Sequence, residues 1–394
     1  MVRLKVFNVG HGEAMILTLD NGRKVIRDFG RSFQAKKTAT SISVIAIIQK
    51  YQNHISPIKT KIDIVLSHAH DDHFNGFIKL HDLGFKKIFK TAYIPYIDLT
   101  TIESLGGKIL KLSSYLYTYY GIKTNIGKNA KNWILAIPIL ADLSEMICGV
   151  CTGYIIKSWV PNGEILWPPI PGSATSYYSD FETNIDNQIS FFETNLEDTV
   201  MLDYKRQVLD EILKLLAQQI YINPDEPIVT GGDSTVNRIN DILENSLRFS
   251  RYFRTNANPF KNILRYKNSI DDNSIVFRLF DTKQNHALFL SDLNSKYIRE
   301  ITLFHMNGSM HFRIIKSSHH GSRYNDMMHV LKNTSDTIIH CCGPSNQRIK
   351  QPDVAYRNVS GNIICTDWNT YSTSKWTRPC PYLLFAKQSK TFIL

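Results

Sequence analysis

Ser67-His68-Ala69-His70-Asp71-Asp72-His73 sets four candidate metal ligands, His68, His70, Asp72 and His73, within six residues. It follows Lys61-Ile62-Asp63-Ile64-Val65-Leu66, whose β-branched and apolar side chains suit a buried strand. His68 and His70, two apart in an extended loop, can turn the same way toward one ion. Asp72 and His73 fall where Phe74-Asn75-Gly76-Phe77-Ile78-Lys79-Leu80 begins a helix, and can face a second ion. Imidazoles with a carboxylate suit Zn²⁺, with Mn²⁺ or Fe next by ligand type. The alternative is a polar surface loop, and spacing this dense argues against it.

A dinuclear site needs ligands from elsewhere, and two more strand-like runs offer them. His286-Ala287-Leu288-Phe289-Leu290-Ser291-Asp292 ends in a carboxylate able to bridge two cations. Arg313-Ile314-Ile315-Lys316-Ser317-Ser318-His319-His320-Gly321-Ser322 runs from a strand into imidazoles. An aspartate after a strand is usually a turn or cap residue; the histidine-rich run gives Asp292 its metal reading. Ser274 to Phe280 and His286 to Ser291 read as strands about the polar turn Asp281-Thr282-Lys283-Gln284-Asn285, an antiparallel hairpin. The end of the second strand then lies beside the start of the first, bringing Asp272 or Asn273 near Asp292. Asp272 can complete the first ion's ligand set; a solvated acidic turn is the alternative.

With these residues the chain resembles the metallo-β-lactamase fold superfamily, and within it the hydrolase domains at the end of the competence protein ComEC. Val6-Phe7-Asn8-Val9-Gly10-His11-Gly12-Glu13-Ala14 looks like that branch's opening strand and Gly-x-Gly-acid loop. Val25-Ile26-Arg27-Asp28-Phe29-Gly30 is similar to its second strand ending in Asp-x-Gly. His68, His70, Asp72 and His73 match its metal motif. Asp271-Asp272-Asn273-Ser274-Ile275-Val276-Phe277 resembles the segment before the bridging aspartate, Asp292 that aspartate, and His319-His320-Gly321-Ser322 a later signature. Residues from roughly 90 to 265 match weakly. Ser291 stands where relatives have Gly, and Gln351 where they often have His, and no histidine occupies the usual place of the first ion's third ligand.

The resemblance implies an α/β (α+β) fold, a four-layer αββα sandwich with the site at loop ends along one edge of two facing sheets. One domain over 1–394 is expected, with an insertion at about 95–265 shaping substrate access. The expected ligands are His68, His70, Asp72, His73, Asp292, His319 and Asp272. Two divalent ions would hold a bridging hydroxide near neutral pH and stabilise charge on the attacked group. Asp72 would orient that hydroxide as well as bind. His320 either protonates the leaving group or hydrogen-bonds a ligand, the second role being preferred. No Gly-x-Ser-x-Gly turn points to serine catalysis.

Further strands are expected at Val2–Val9, Glu13–Leu19, Lys24–Asp28, Thr337–His340 and Asn362–Cys365, with a helix at Ile42–Tyr51. Hydrophobic content of 43% in 394 residues supports a sizeable core and argues against disorder. No run approaches the roughly 18–20 apolar residues of a membrane helix. The charged opening strand has no secretory h-region before it, so a cytoplasmic protein without membrane contact is expected. Cys148 and Cys151 form a single Cys-x-x-Cys, and Cys341, Cys342, Cys365 and Cys380 give no second pair. Free thiols in a reducing compartment are preferred over a zinc knuckle or redox pair.

The weakly matched region is basic. No acid lies between Glu103 and Asp142, where Lys108, Lys111, Lys123, Lys128 and Lys131 fall among Tyr115, Tyr117, Tyr119 and Tyr120. A helix over Asp198–Ile220 has Leu202, Leu209, Ile212, Leu213 and Leu216 as its apolar side. Arg248, Arg251, Arg254, Lys261 and Arg265 then interleave with Phe249, Tyr252, Phe253, Phe260 and Tyr266. That combination suits single-stranded nucleic acid, by phosphate neutralisation and base stacking. A solvated face over core aromatics is the alternative, and a formal net charge of +11 tips the reading toward a polyanion. A nuclease is therefore preferred over a small-molecule hydrolase of esters, thioesters, lactones or nucleotides. A regulatory protein with a degenerate site, or one needing a protein partner, is the third reading.

Overall fold

Two mixed sheets organise the chain. The computed structural model describes residues 1–32, 43, 46–47, 62–96, 101, 103–170, 176–217, 233–253, 270–282, 284–305, 310–322, 334–341, 362–366, 383–384 and 389–394. The first sheet contains β1 (Arg3–Phe7), β2 (Ala14–Thr18), β3 (Lys24–Phe29), β4 (Ile62–Val65), β5 (Phe89–Pro95), β6 (Ser144–Val150) and β15 (Ser389–Ile393). Their spatial order is β15-β1-β2-β3-β4-β5-β6. The second sheet contains β7 (Ile155–Ile156), β8 (Asn162–Trp167), β9 (Val276–Phe280), β10 (Asn285–Phe289), β11 (Phe312–Lys316), β12 (Ser335–His340), β13 (Asn362–Cys365) and β14 (Leu383–Leu384). Its order is β14 through β7 in descending sequence. Strands β3 to β6 run parallel, as do β10 to β14, while the remaining pairs are antiparallel.

Strand alternation sorts the core into two clusters. Leu4, Val6, Met15, Leu17, Val25 and Val65 of the first sheet share one with Phe277, Leu279, Phe289, Ile314 and Ile339 of the second. Ile26, Ile62 and Ile64 turn the other way, onto Phe74, Phe77 and Leu80 of the helix α1 (Asp71–Asp82). Each such buried side chain stabilises the fold by about 1.5–3 kcal/mol. Asp63 lies within β4 yet is fully buried; Arg23 Nη1 at 2.7 Å and Trp159 Nε1 at 2.8 Å both donate to its Oδ2. An unpaired carboxylate there would be untenable.

The expected hairpin is present: β9 and β10 pair antiparallel, and the Asp281 N–H donates to Gln284 O at 3.1 Å. Ile275 N–H donates to Ser67 O at 3.0 Å, tying the start of β9 to the end of β4 across the two sheets. The helix expected over Ile42–Tyr51 lies largely outside the described residues, of which Ala46 and Ile47 are helical.

The region from about 95 to 265 departs from a simple insertion, because β6, β7 and β8 belong to the two sheets. Among its described residues the helices leave them: α2 (Leu105–Tyr120), α3 (Asn125–Leu143), α4 (Ser176–Thr194), α5 (Asp198–Tyr204), α6 (Asp210–Ala217) and α7 (Asp233–Ser246). α8 (Ser295–His305) follows β10. Ser104 and Thr124 cap α2 and α3 by accepting from the Gly107 and Gly127 N–H groups. A π-helical segment, Lys205–Leu209, joins α5 to α6. Its wider turn breaks the 3.6-residue period, so Leu202 is exposed while Met201, Tyr204 and Val208 are buried.

The acid-free lysine run is compensated in space. Lys108 pairs with Asp186 at 3.0 Å, Lys111 with Glu193 at 2.7 Å and Lys131 with Glu244 at 3.6 Å, while Tyr115 and Tyr117 are fully buried. Among the described residues no helix is long and apolar enough to cross a membrane.

Candidate metal centre

The ligand-bearing loops gather at the carboxyl ends of β3, β4, β10 and β11, the usual place for sites in parallel-stranded sheets. His68 and His70 leave β4 as expected and meet Asp271, which the Ile275–Ser67 bond brings over from the hairpin. His68 Nε2 and His70 Nδ1 are 3.1 Å apart, His70 Nδ1 and Asp271 Oδ1 2.9 Å, and His68 Nε2 and Asp271 Oδ1 3.6 Å. Donors about 2.0–2.2 Å from a tetrahedral cation stand roughly 3.4 Å from one another, so this triangle fits such an ion. Ser67 Oγ at 3.1 Å and Ser274 Oγ at 3.3 Å contact His68 Nδ1, leaving Nε2 toward the triangle. Burial first, then His73 and His70, hold His68 well below its usual pKa, in the neutral form a metal requires.

Asp271, not Asp272, therefore occupies the position expected of the extra carboxylate. Asp272 turns to the Asn294 backbone N–H and Lys296, and its own carbonyl accepts from Trp167 Nε1 at 2.7 Å. Burial and the neighbouring Asp271 push its carboxyl up to about 8.

A second gathering surrounds Asp292 and Asp72. His73 Nε2 is 3.5 Å from Asp292 Oδ1, His319 Nε2 is 3.9 Å from Asp292 Oδ2, and His320 Nε2 is 3.3 Å from Asp72 Oδ2. His319 also lies 3.7 Å from Asp271 Oδ2, so it stands between the two carboxylates. Glu13, His73, Asp292 and His320 form one donor group, and His11, Asp72 and His320 another. Burial alone would raise the Asp292 carboxyl; His319, His73 and His320 outweigh it and hold the group well below the carboxylate range. His73 Nδ1 contacts Asp28 Oδ2 at 3.0 Å, which directs Nε2 inward. His320 Nδ1 donates to the Cys341 carbonyl, so its Nε2 faces the donor group, where it lies within hydrogen-bond reach of Asp72 Oδ2, in keeping with the preferred expectation that it hydrogen-bonds a ligand.

Behind these ligands lies a fully buried charge network. Arg27 pairs with Glu13 and, at 3.2 Å, with Asp28; Lys316 pairs with Glu13. Sequence reasoning did not single out His11, Glu13, Asp28 or Asp271. The signals available were the Gly-His-Gly loop, the Asp-x-Gly strand end and the doubled aspartate.

Backbone strain concentrates here. Asp28, Ser291, His319 and His320 all have left-handed φ, at 47°, 50°, 41° and 58°, which for side chains with Cβ costs about 1–2 kcal/mol each. Ser291 thus occupies a conformation that favours the Gly of the resembled family, and its buried hydroxyl has no hydrogen-bond partner among the described residues. Ser291→Gly should raise unfolding free energy by roughly 1 kcal/mol, after the greater chain entropy of Gly is offset. Urea denaturation checks this, and a loss of stability would refute it.

His340 packs under the same loop, its Nδ1 2.7 Å from Ser317 Oγ. Burial, then Lys316 and His320, push its pKa down to about 3. The unfolded chain takes a proton near the ordinary value of about 6.5 and the folded chain does not, so acidification from pH 7 to 5 removes roughly 2 kcal/mol of stability through this residue. The stability advantage of the wild type over His340→Asn should narrow by that amount between those pH values, with metal chelated in both. A constant gap would contradict the reading.

Of the expected nucleic-acid contacts, Arg254, Lys261 and Arg265 lie outside the described residues. Arg248 and Arg251 are exposed on the 3₁₀ turn Leu247–Tyr252. Of their aromatic neighbours, Phe249 packs on Tyr204 and Phe253 on Tyr119 and Phe192, Tyr252 is half-buried under Arg251, and Phe260 and Tyr266 lie outside the described residues. Gln351 also falls outside the described residues. No protein-family model matches this chain, and no curated protein does.

Proposed function

We propose that the chain is a dinuclear metal-dependent hydrolase on the four-layer αββα sandwich of the metallo-β-lactamase superfamily, in the branch similar to the ComEC hydrolase domain, and that it cleaves phosphodiester bonds of nucleic acid. The observation that carries the reading is the triangle of His68 Nε2, His70 Nδ1 and Asp271 Oδ1, with edges of 3.1, 2.9 and 3.6 Å. The two core clusters support the layering, one shared by both sheets and the other shared with helices. Two divalent cations, Zn²⁺ first and Mn²⁺ second by donor type, supply an acidified water and stabilise charge on the attacked group. His68, His70 and Asp271 hold one ion. Asp72, His73, Asp292 and His320 surround the other, with Asp28 fixing His73 from behind. His319, at the partly exposed rim between Asp271 and Asp292, is placed to meet substrate or ion. The free thiols of Cys148, Cys151, Cys341 and Cys365 accompany a cytoplasmic location.

The polyanion assignment rests on the net charge of +11 and on exposed Arg248 and Arg251. Replacing both with alanine should lower the slope of log K against log salt for single-stranded DNA or RNA by roughly 1.4 in total. Hydrolysis of bis(p-nitrophenyl) phosphate should be unchanged; equal damage to both substrates would make the pair structural. A specific feature favours a small-molecule substrate as the second reading. An apolar cleft beside His68 is bounded by Leu66, Ile94, Pro95, Trp133 and Ile137, and His68 is the one titratable side chain among its described walls. Labelled DNA and RNA tested against small esters with Mn²⁺, Zn²⁺ or Mg²⁺ separate the two. Polymer cleavage supports the nuclease, and ester hydrolysis alone supports the second reading.

A further inference from the structure

We infer that His11 is a ligand of the second cation, completing a donor set with Asp72 and His320; this rests on the proposed dinuclear site. His11 Nε2 lies 3.7 Å from Asp72 Oδ2, and His320 Nε2 3.3 Å from the same oxygen. The three ligand atoms all fall within 4.8 Å of one another. A separation of 3.7 Å is too long for a hydrogen bond but close to the roughly 3.4 Å between donors sharing one tetrahedral ion. Both imidazoles are 1% exposed, and their ring centroids are 4.3 Å apart. The Cys341 carbonyl holds the far nitrogen of His320, so the near one offers its lone pair.

The loop carrying His11 is fastened where a ligand must be. Glu13 N–H donates to Asp72 O at 2.9 Å, Ser32 N–H to His11 O at 2.7 Å, and Gly10 N–H to Asn8 Oδ1 at 3.1 Å. The approach needs Gly12 at φ +153°, where a Cβ would meet Gly30 O at 2.4 Å and Arg31 Cα at 2.7 Å. The Gly-His-Gly run thus combines a backbone close enough to touch the start of α1 with an imidazole beside the Asp72 carboxylate. His73, the sequence neighbour of Asp72, groups with Glu13, Asp292 and His320, so the two donor sets meet at His320.

The test is titration of the full metal-free chain with Co²⁺, followed by visible absorption and by bound metal per chain, for wild type and His11→Gln. Wild type should take two ions. His11→Gln should keep one and bind the other more than about 100-fold more weakly, beyond the 10–100-fold that residues behind a ligand are worth. Two ions in wild type with a smaller loss in the variant would overturn the inference and leave the hydrolase reading intact. No Co²⁺ bound by folded wild type would overturn both. If His11→Gln loses its native circular dichroism, the imidazole ¹⁵N spectrum of wild type decides. Zn²⁺ addition shifts the His11 Nε2 resonance if it ligates, and an unmoved resonance refutes it.

Discussion

Asp292→Ala is expected to cut metal-dependent hydrolysis by about 10³-fold or more, the scale on which losing charge stabilisation at a reacting centre is felt. The carboxylate is buried with one oxygen 3.5 Å from His73 and the other 3.9 and 4.0 Å from His319 and His320. These three imidazoles come from α1 and from the turn after β11 and converge on one anion, so its removal takes away the charge that balances any cation held there. Those histidines also keep the carboxyl ionised against its burial. Initial rates on the substrate class found active, with circular dichroism as the control on folding, check the result. Activity within tenfold of wild type in a folded variant would remove Asp292 from the site.

Lys316→Met should be the most damaging single change to stability, costing about 3–5 kcal/mol because it leaves an uncompensated buried charge. Glu13, Arg27, Asp28 and Lys316 are each fully buried, two acids against two bases. Removing the ammonium strands Glu13 with Arg27 already divided between it and Asp28. Lys316→Met/Glu13→Gln restores the balance and should cost clearly less than the sum of the two single changes. Strict additivity in denaturant unfolding would show that the pair is energetically independent. The network also supports the site, since Asp28 holds His73 and accepts from Ser67 N–H at 2.7 Å.

What the sequence disclosed follows from the range of the physics involved. His68, His70, Asp72 and His73 are legible because strand, loop and helix start lie within a dozen residues, so local periodicity alone aims them. The β9–β10 hairpin is legible for the same reason. Choosing Asp271 over Asp272 depends on a short turn whose facing is fixed by Ile275 bonding Ser67 across the sheets, which no local pattern records. His11 sits in a glycine loop whose course is set by contact with Asp72. The ion pairs of the basic run were not legible because its partners are remote: Lys108 finds Asp186 78 residues away. Leu202 misled because a π turn shifts the helical period.

The central claim is that the His68–His70–Asp271 and Asp72–His73–Asp292–His320 groups hold metal. Metal content of the purified, zinc-exchanged full chain, measured by mass spectrometry under native conditions beside His68→Ala, tests it most directly. Two ions per chain in wild type and one fewer in His68→Ala are predicted. A folded wild-type chain that carries none would contradict it.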